Sequence, residues 1–229
     1  MTADWMLGTD LTDVDMSGDK SGNSDWHTSR FWMKQDTEKK ILFLSEANQI
    51  ISIFEHQVKL GGDWRHWFTC LNHDGKTPCP LCEYSLANAN KFRRTKVAYL
   101  SILDLTPWKA KDGTEHKFTP RLFGAKNDTV ELLKRRYLER VEAGQSLKYS
   151  MYTVFRSKSD KSPNVGSDFS FIKMVDPSVL PEEVRSGMDL MEELKPDREK
   201  MEGAVKQLMA EAGYAGGGGG AAAGGDIPF

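Results

Sequence analysis

The chain has 229 residues, 39% of them hydrophobic, enough for one large domain or one domain with appendages. It has no run of about 18 apolar residues, which argues against a membrane-spanning helix, and its acidic first residues lack the apolar stretch of a secretory signal. The net charge of −2 hides a segregation: residues 1–29 carry −5, residues 30–161 carry +9 and residues 162–229 carry −6. A basic middle between acidic ends points to a polyanionic partner for the middle, with the ends competing for the same surface.

In chain order, residues 1–25 are rich in Asp, Ser, Gly and Thr and read as an acidic flexible arm. Lys39–Leu44 and Gln49–Phe54 are apolar runs of strand length, separated by a turn at Ser45–Asn48. Gly61-Gly62-Asp63 marks a hairpin between Glu55–Leu60 and Trp64–Cys70. Helical composition begins at Pro80. Thr95–Leu105 is apolar on both faces, as a central strand is. Asp112-Gly113-Thr114 signals another hairpin, whose return strand Lys117–Phe123 is pushed to a sheet edge by Pro120. Asn127 or Asp128 caps a helix that runs to Gly144, with Val130, Leu133, Tyr137, Leu138 and Val141 as its apolar stripe. Two strands follow, Leu147–Arg156 and Phe169–Val175. Pro181 opens a last helical region, and Asp197 caps a helix with Met201, Val205, Leu208 and Met209 as its buried side. Gly216–Gly225 contains only Gly and Ala, a flexible tether that ends in Asp226-Ile227-Pro228-Phe229.

These pieces predict a mainly β chain with inserted helices, an α+β protein built on a small OB-type antiparallel barrel. The expected organisation is an arm over 1–25, a core over 26–178 with a zinc subdomain at about 55–92, C-terminal helices over 179–214, and a tether with its tip over 215–229.

All three cysteines fall within thirteen residues: Cys70, then Cys79-Pro-Leu-Cys82. Such a clustered set does not make a disulfide framework and fits a reducing cytoplasm. Zinc favours four N/S ligands in a tetrahedron, so three cysteines call for one histidine. His73 is nearest in sequence, with His66 and His56 upstream. The hairpin brings His56 to the end that carries Cys70, whereas only two residues separate His73 from Cys70. The turn Asp74–Pro78 has little apolar content and reads as a loop held by the metal.

A protein that holds an unpaired nucleic-acid strand needs cations for phosphates and aromatic faces for bases. The basic middle interleaves both. The candidates are Trp64, Arg65, Trp67, Phe92, Arg93, Arg94, Lys96, Tyr99, Trp108, Lys109, Arg121, Phe123, Tyr149, Tyr152, Arg156 and Lys158. A tether that ends in an apolar anchor and a carboxylate suggests a segment read by another protein, with Asp226, Ile227, Pro228 and Phe229 as the contacts.

The order His56, Gly62-Asp-Trp64, Thr69-Cys70, His73, Cys79-Pro-Leu-Cys82, Tyr84, Arg93-Arg94, Lys117-Phe118 and Arg121-Leu-Phe123-Gly124 resembles the T-even-phage single-stranded DNA-binding (helix-destabilising) proteins over roughly residues 30–175. The last four residues look like the C-terminal tip of bacterial single-stranded DNA-binding proteins. The first resemblance implies one structural Zn2+ held by His56, Cys70, Cys79 and Cys82, with His73 the alternative to His56. It also implies sequence-independent binding of single-stranded DNA in phage replication, recombination and repair, in the cytoplasm of the bacterial host. Self-association along the strand would be part of that role. The second implies recruitment of replication and recombination enzymes through the tip. The chain departs from the phage family in its acidic N-terminal segment, where the family has a basic one, and in lacking the family's longer acidic C-terminal domain.

The expected protein is therefore not an enzyme. Two other readings are a zinc-containing nuclease or deaminase and a protein-binding adaptor. Three cysteines and one histidine fill the coordination sphere of zinc, and the Glu of the deaminase His-x-Glu signature is missing.

Overall fold

The computed structural model describes residues 30–109, 115–116, 118–158 and 165–216. The arm at 1–25 and the tether beyond 216 with its Asp226–Phe229 tip lie outside the described residues.

The chain is mainly antiparallel β with a few helices. Its elements run β1 (Thr37–Phe43), β2 (Ile51–Leu60), β3 (Asp63–Thr69), α1 (Pro80–Ala87), β4 (Thr95–Asp104), β5 (Trp108–Lys109), β6 (Glu115–His116), β7 (Thr119–Ala125), α2 (Asp128–Glu142), β8 (Ser150–Arg156), β9 (Asp168–Met174), α3 (Glu182–Arg185), α4 (Leu190–Glu193) and α5 (Arg198–Gly216). Seven strands form one sheet in the order β3-β2-β4-β1-β8-β9, with β7 on the other edge of β4; β5 and β6 pair separately.

Strand β4 organises the sheet. Phe43 pairs with Ile102 and Ile51 with Tyr99, so β1 and β2 lie end to end along one edge of β4. The residues between them leave that edge in a short excursion, closed by Leu44 N–H on Ser101 O at 2.9 Å and by Ser101 N–H on Ser45 Oγ at 2.8 Å. The two strands expected at 49–54 and 55–60 are one continuous strand, because nothing between Phe54 and Glu55 interrupts the ladder.

The sheet is not closed as a barrel. Closure would need a ladder from β7 to β3 or β9, and the described residues contain none. Among the described residues, the outer edge of β7 takes a single parallel bridge, from Arg30, with Phe31 N–H on Leu122 O at 2.8 Å. Pro120 removes one donor from this strand, as expected of an edge.

Because β4 is central, both of its faces are buried. Ala98, Leu100 and Ile102 point into a core with Ile41, Phe43, Phe123, Tyr152, Val154 and Phe169, closed by Val130 and Leu133 of α2. On the opposite face Val97 and Tyr99 pack with Ile51, Ile53 and the Leu190 and Leu194 side chains of the C-terminal segment. Only the first half of the predicted stripe on α2 is buried, since Leu138 and Val141 face outward. On α5, Met201 and Leu208 are buried as expected and Val205 is half-buried against the same core, with Ala204 beside them; Met209, expected on that side, is exposed. Among the described residues, no helix is long and apolar enough to cross a membrane.

Gly187 fixes how closely the C-terminal segment approaches β4. Its φ is +73°, and a Cβ there would lie 2.5 Å from Ser101 Oγ and 2.9 Å from Ser101 Cβ. The next residue, Met188, donates its N–H to the same Ser101 Oγ at 2.8 Å. Gly187→Ala therefore combines left-handed strain with overpacking and should cost about 1–3 kcal/mol in chemical denaturation. A variant as stable as the parent would show that this approach is looser than described.

Candidate metal centre and basic face

The β2–β3 hairpin turns on Gly61 and Gly62, with φ of +58° and +84°, a pair of positive values that suits the twist of a two-residue turn. Its register sets Glu55 against Thr69 and His56 against Phe68. Cys70, one residue past β3, donates its N–H to Phe54 O at 2.8 Å, which brings the thiol beside the His56 ring. Cys79 immediately precedes α1, Pro80 opens that helix, and Cys82 lies in its first turn. The loop between the cysteines is held by Asp74, whose carboxylate accepts the N–H groups of Lys76 and Thr77, both at 2.8 Å. Those donors lower the Asp74 pKa to about 2. The loop, expected to be held by a metal, thus has a turn of its own.

Four donor atoms converge from these elements. His56 Nε2 and the Sγ atoms of Cys70, Cys79 and Cys82 all lie within 4.8 Å of one another. His56 Nε2 is 3.6 Å from Cys79 Sγ and 3.4 Å from Cys82 Sγ, and Cys70 Sγ is 3.4 Å from Cys82 Sγ. A tetrahedral zinc site, with bonds of about 2.3 Å to sulfur and 2.0–2.1 Å to nitrogen, separates its ligands by roughly 3.5–3.8 Å. The cluster therefore fits one ion, and its soft thiolate and imidazole donors are compatible with zinc. His73 takes no part: its Nδ1 is 3.1 Å from Leu71 O, within its own loop.

The surrounding shell orients the ligands. His56 Nδ1 lies 2.8 Å from Phe92 O, and the tautomer that donates this bond leaves Nε2 for the ion. Phe92 is itself left-handed, with φ of +59°, which turns that carbonyl inward. Arg94 Nη1 approaches Cys70 Sγ at 3.9 Å, and Met201 Sδ of α5 lies 3.9 Å from Cys79 Sγ. Burial alone would lower the His56 pKa, but bonding to Cys79, Cys82 and Phe92 outweighs it and raises it to about 9. Hydrogen bonds with Cys70 and Cys82 hold Cys79 well below an ordinary thiol, while those with Cys79 and Cys82 push Cys70 up. Thiolate and neutral imidazole are the forms that bind a metal, so affinity for one should rise with pH.

The candidate nucleic-acid contacts divide sharply. Tyr99, Phe123 and Tyr152 are fully buried in the two cores and have no face to offer a base. Arg156 is also buried and donates from Nη1 to Met33 O. These four assignments are corrected: each side chain lies on a buried face of its strand, where an aromatic beside a cation is still core. Arg121 is half-buried near Asp104, and burial lowers its pKa. Tyr149 is half-buried and bonds Arg185 O at 3.3 Å, and Lys158 is exposed and paired with Asp36 at 2.8 Å. The side chains of Arg65, Trp108 and Lys109 lie outside the described residues.

The remaining candidates gather around the metal subdomain. Trp64 is 45% exposed and meets the Phe92 ring at 5.8 Å, with Lys59 Nζ 5.9 Å from the indole. Phe92 in turn stacks on Tyr84 at 6.4 Å. Arg93 is exposed beside them. The Arg94 guanidinium lies 4.2 Å from the centre of the Phe54 ring, with Lys96 Nζ at 5.9 Å. Trp67 is half-buried under the Arg30 guanidinium at 4.2 Å. Phe54 and Lys59, absent from the candidate list, belong to the same set of rings and cations. Phe54 was hidden in an apolar run, and only the pairing of Phe54 with Lys96 reveals its cationic surroundings. No protein-family model matches the chain, and a search of the curated proteins finds no match.

Proposed function

We propose that this chain is a non-enzymatic, sequence-independent binder of single-stranded DNA that serves phage replication, recombination and repair in the bacterial host. The observation that carries the reading is the set of rings with cations beside them around the metal centre: Trp64 with Lys59, Phe54 with Arg94 and Lys96, and Phe92 next to exposed Arg93. Each pairing joins a stacking face to a phosphate-binding charge, which is what an unpaired strand requires. In this reading the ion is a structural Zn2+ held by His56, Cys70, Cys79 and Cys82. It fixes the fold of the subdomain that carries the rings, and four protein ligands leave no position for a catalytic water.

Titration of an oligothymidylate against intrinsic tryptophan fluorescence tests the reading, because Trp64 is among the rings expected to be covered. Quenching should occur, and log K should fall linearly with log salt, with a slope of about −0.7 per phosphate neutralised. Absence of quenching, or binding indifferent to salt, would count against it. Under the same proposal the Asp226–Phe229 tip recruits partner enzymes. Deleting those four residues should leave or raise DNA affinity and abolish capture of such a partner, and loss of DNA binding on deletion would assign the tip to the wrong task.

A further inference from the structure

We infer that Phe54, with Arg94 and Lys96, forms a base-stacking subsite for one unpaired nucleotide, an inference that rests on the proposed binding of a single strand. Phe54 lies in β2 directly opposite Lys96 of β4, so ring and cation are fixed by the sheet register and not by a mobile loop. The ring is half-buried and packs on the metal-subdomain core at one side. The Arg94 guanidinium is centred 4.2 Å from the ring, where a planar, cationic group occupies the position a base would take.

Arg94 has a second partner close by, since its Nη1 is 3.9 Å from Cys70 Sγ. A base arriving over Phe54 displaces the guanidinium from the ring but leaves it within reach of the nucleotide's phosphate. Lys96 Nζ, 5.9 Å from the ring centre, flanks the same nucleotide. The subsite is sequence-tolerant, because it offers a ring face and charge and reads no base edge.

The Trp64–Phe92 pair lies at the start of the same segment. Residues 92 to 96 are joined by four peptide links, so the backbone at Phe92 lies at most about 14 Å from that at Lys96, the residue opposite Phe54. A single strand following residues 92–96 therefore meets both.

The test compares the full-length, metal-loaded protein with Phe54→Leu, Phe54→Tyr and Arg94→Gln on two probes, an oligothymidylate and an abasic strand of equal length. Phe54→Leu should weaken oligothymidylate binding by about 5- to 100-fold and leave abasic binding unchanged, with Phe54→Tyr restoring the parent affinity. Arg94→Gln should weaken both and reduce the salt slope by about one phosphate's worth. Equal losses on both probes for Phe54→Leu, or no loss on either, overturn the subsite while leaving the proposed function standing. Failure of the parent protein to bind oligothymidylate overturns both. If Phe54→Leu does not fold, photocrosslinking of a 5-iodouracil strand to the unmodified protein decides: adducts should map to Phe54, and adducts confined to other residues overturn the subsite.

Discussion

Cys79→Ser should abolish stoichiometric metal retention and destabilise the protein by on the order of 4 kcal/mol or more. Cys79 is fully buried and lies between His56, Cys82 and the Met201 sulfur of α5. The core around it is small: Val58, Leu60, Leu81 and Tyr84 from the subdomain, closed by Met201, Ala204 and Leu208 of α5. So small a core would not make up for the loss of an ion that would tie β2, the end of β3 and α1 together. The outer contacts of α5 are polar and span the subdomain, with Arg198 donating to Pro78 O at 2.7 Å and Glu211 accepting from Gly61 N–H at 2.8 Å. Loss of the ion should therefore loosen α5 as well. Metal content and the melting temperature are the measurements, with chelator treatment of the parent protein giving a comparable drop. His73→Gln is the contrast and should leave both unchanged, because His73 bonds only within its own loop. A Cys79→Ser protein that keeps one metal per chain and the parent melting temperature would dismiss the centre.

The metal cluster was legible because its signals are local. The Cys-Pro-Leu-Cys knuckle places two thiols on one turn, and Gly61-Gly62 folds His56 back beside Cys70. Most strands were legible for the same reason, since their apolar runs end at turn residues. Tyr99 and Tyr152 were misread because burial depends on what covers a strand, and the covering groups, Leu190 over Tyr99 and Phe43 against Tyr152, come from far along the chain. The barrel was expected from the number of strands, but closure depends on pairing between distant edges, and β7 receives Arg30 where a strand would be needed. Phe54 and Lys96 are 42 positions apart, and their pairing exists only once β2 lies on β4.

The same distance-dependence governs the second large effect. Glu55→Gln should cost about 3–5 kcal/mol at neutral pH, because it leaves a nearly buried guanidinium without its counter-charge. The Glu55 carboxylate is 1% exposed; Arg30 bonds both of its oxygens, Tyr99 donates its hydroxyl, and Lys126 Nζ stands 3.5 Å away. The Arg30 guanidinium lies 4.2 and 5.0 Å from the Trp67 and Tyr99 ring centres, with 15% of its side chain exposed. Burial pushes the Glu55 pKa up, but the charges of Arg30 and Lys126 outweigh it and hold the group below its ordinary value. A carboxylate whose folded pKa is depressed contributes stability above its unfolded pKa, about 4.3, and that contribution fades as pH falls through the folded value. The gap between parent and Glu55→Gln should thus be full at pH 7 and narrow steadily below about pH 4. Urea denaturation across that range measures it, and a gap that stays constant or widens in acid would show that the charge on Glu55 is not what holds Arg30. The double variant Arg30→Met, Glu55→Gln gives the complementary check. With the guanidinium gone, the glutamine no longer strands a charge, so the double variant should be more stable than Glu55→Gln alone.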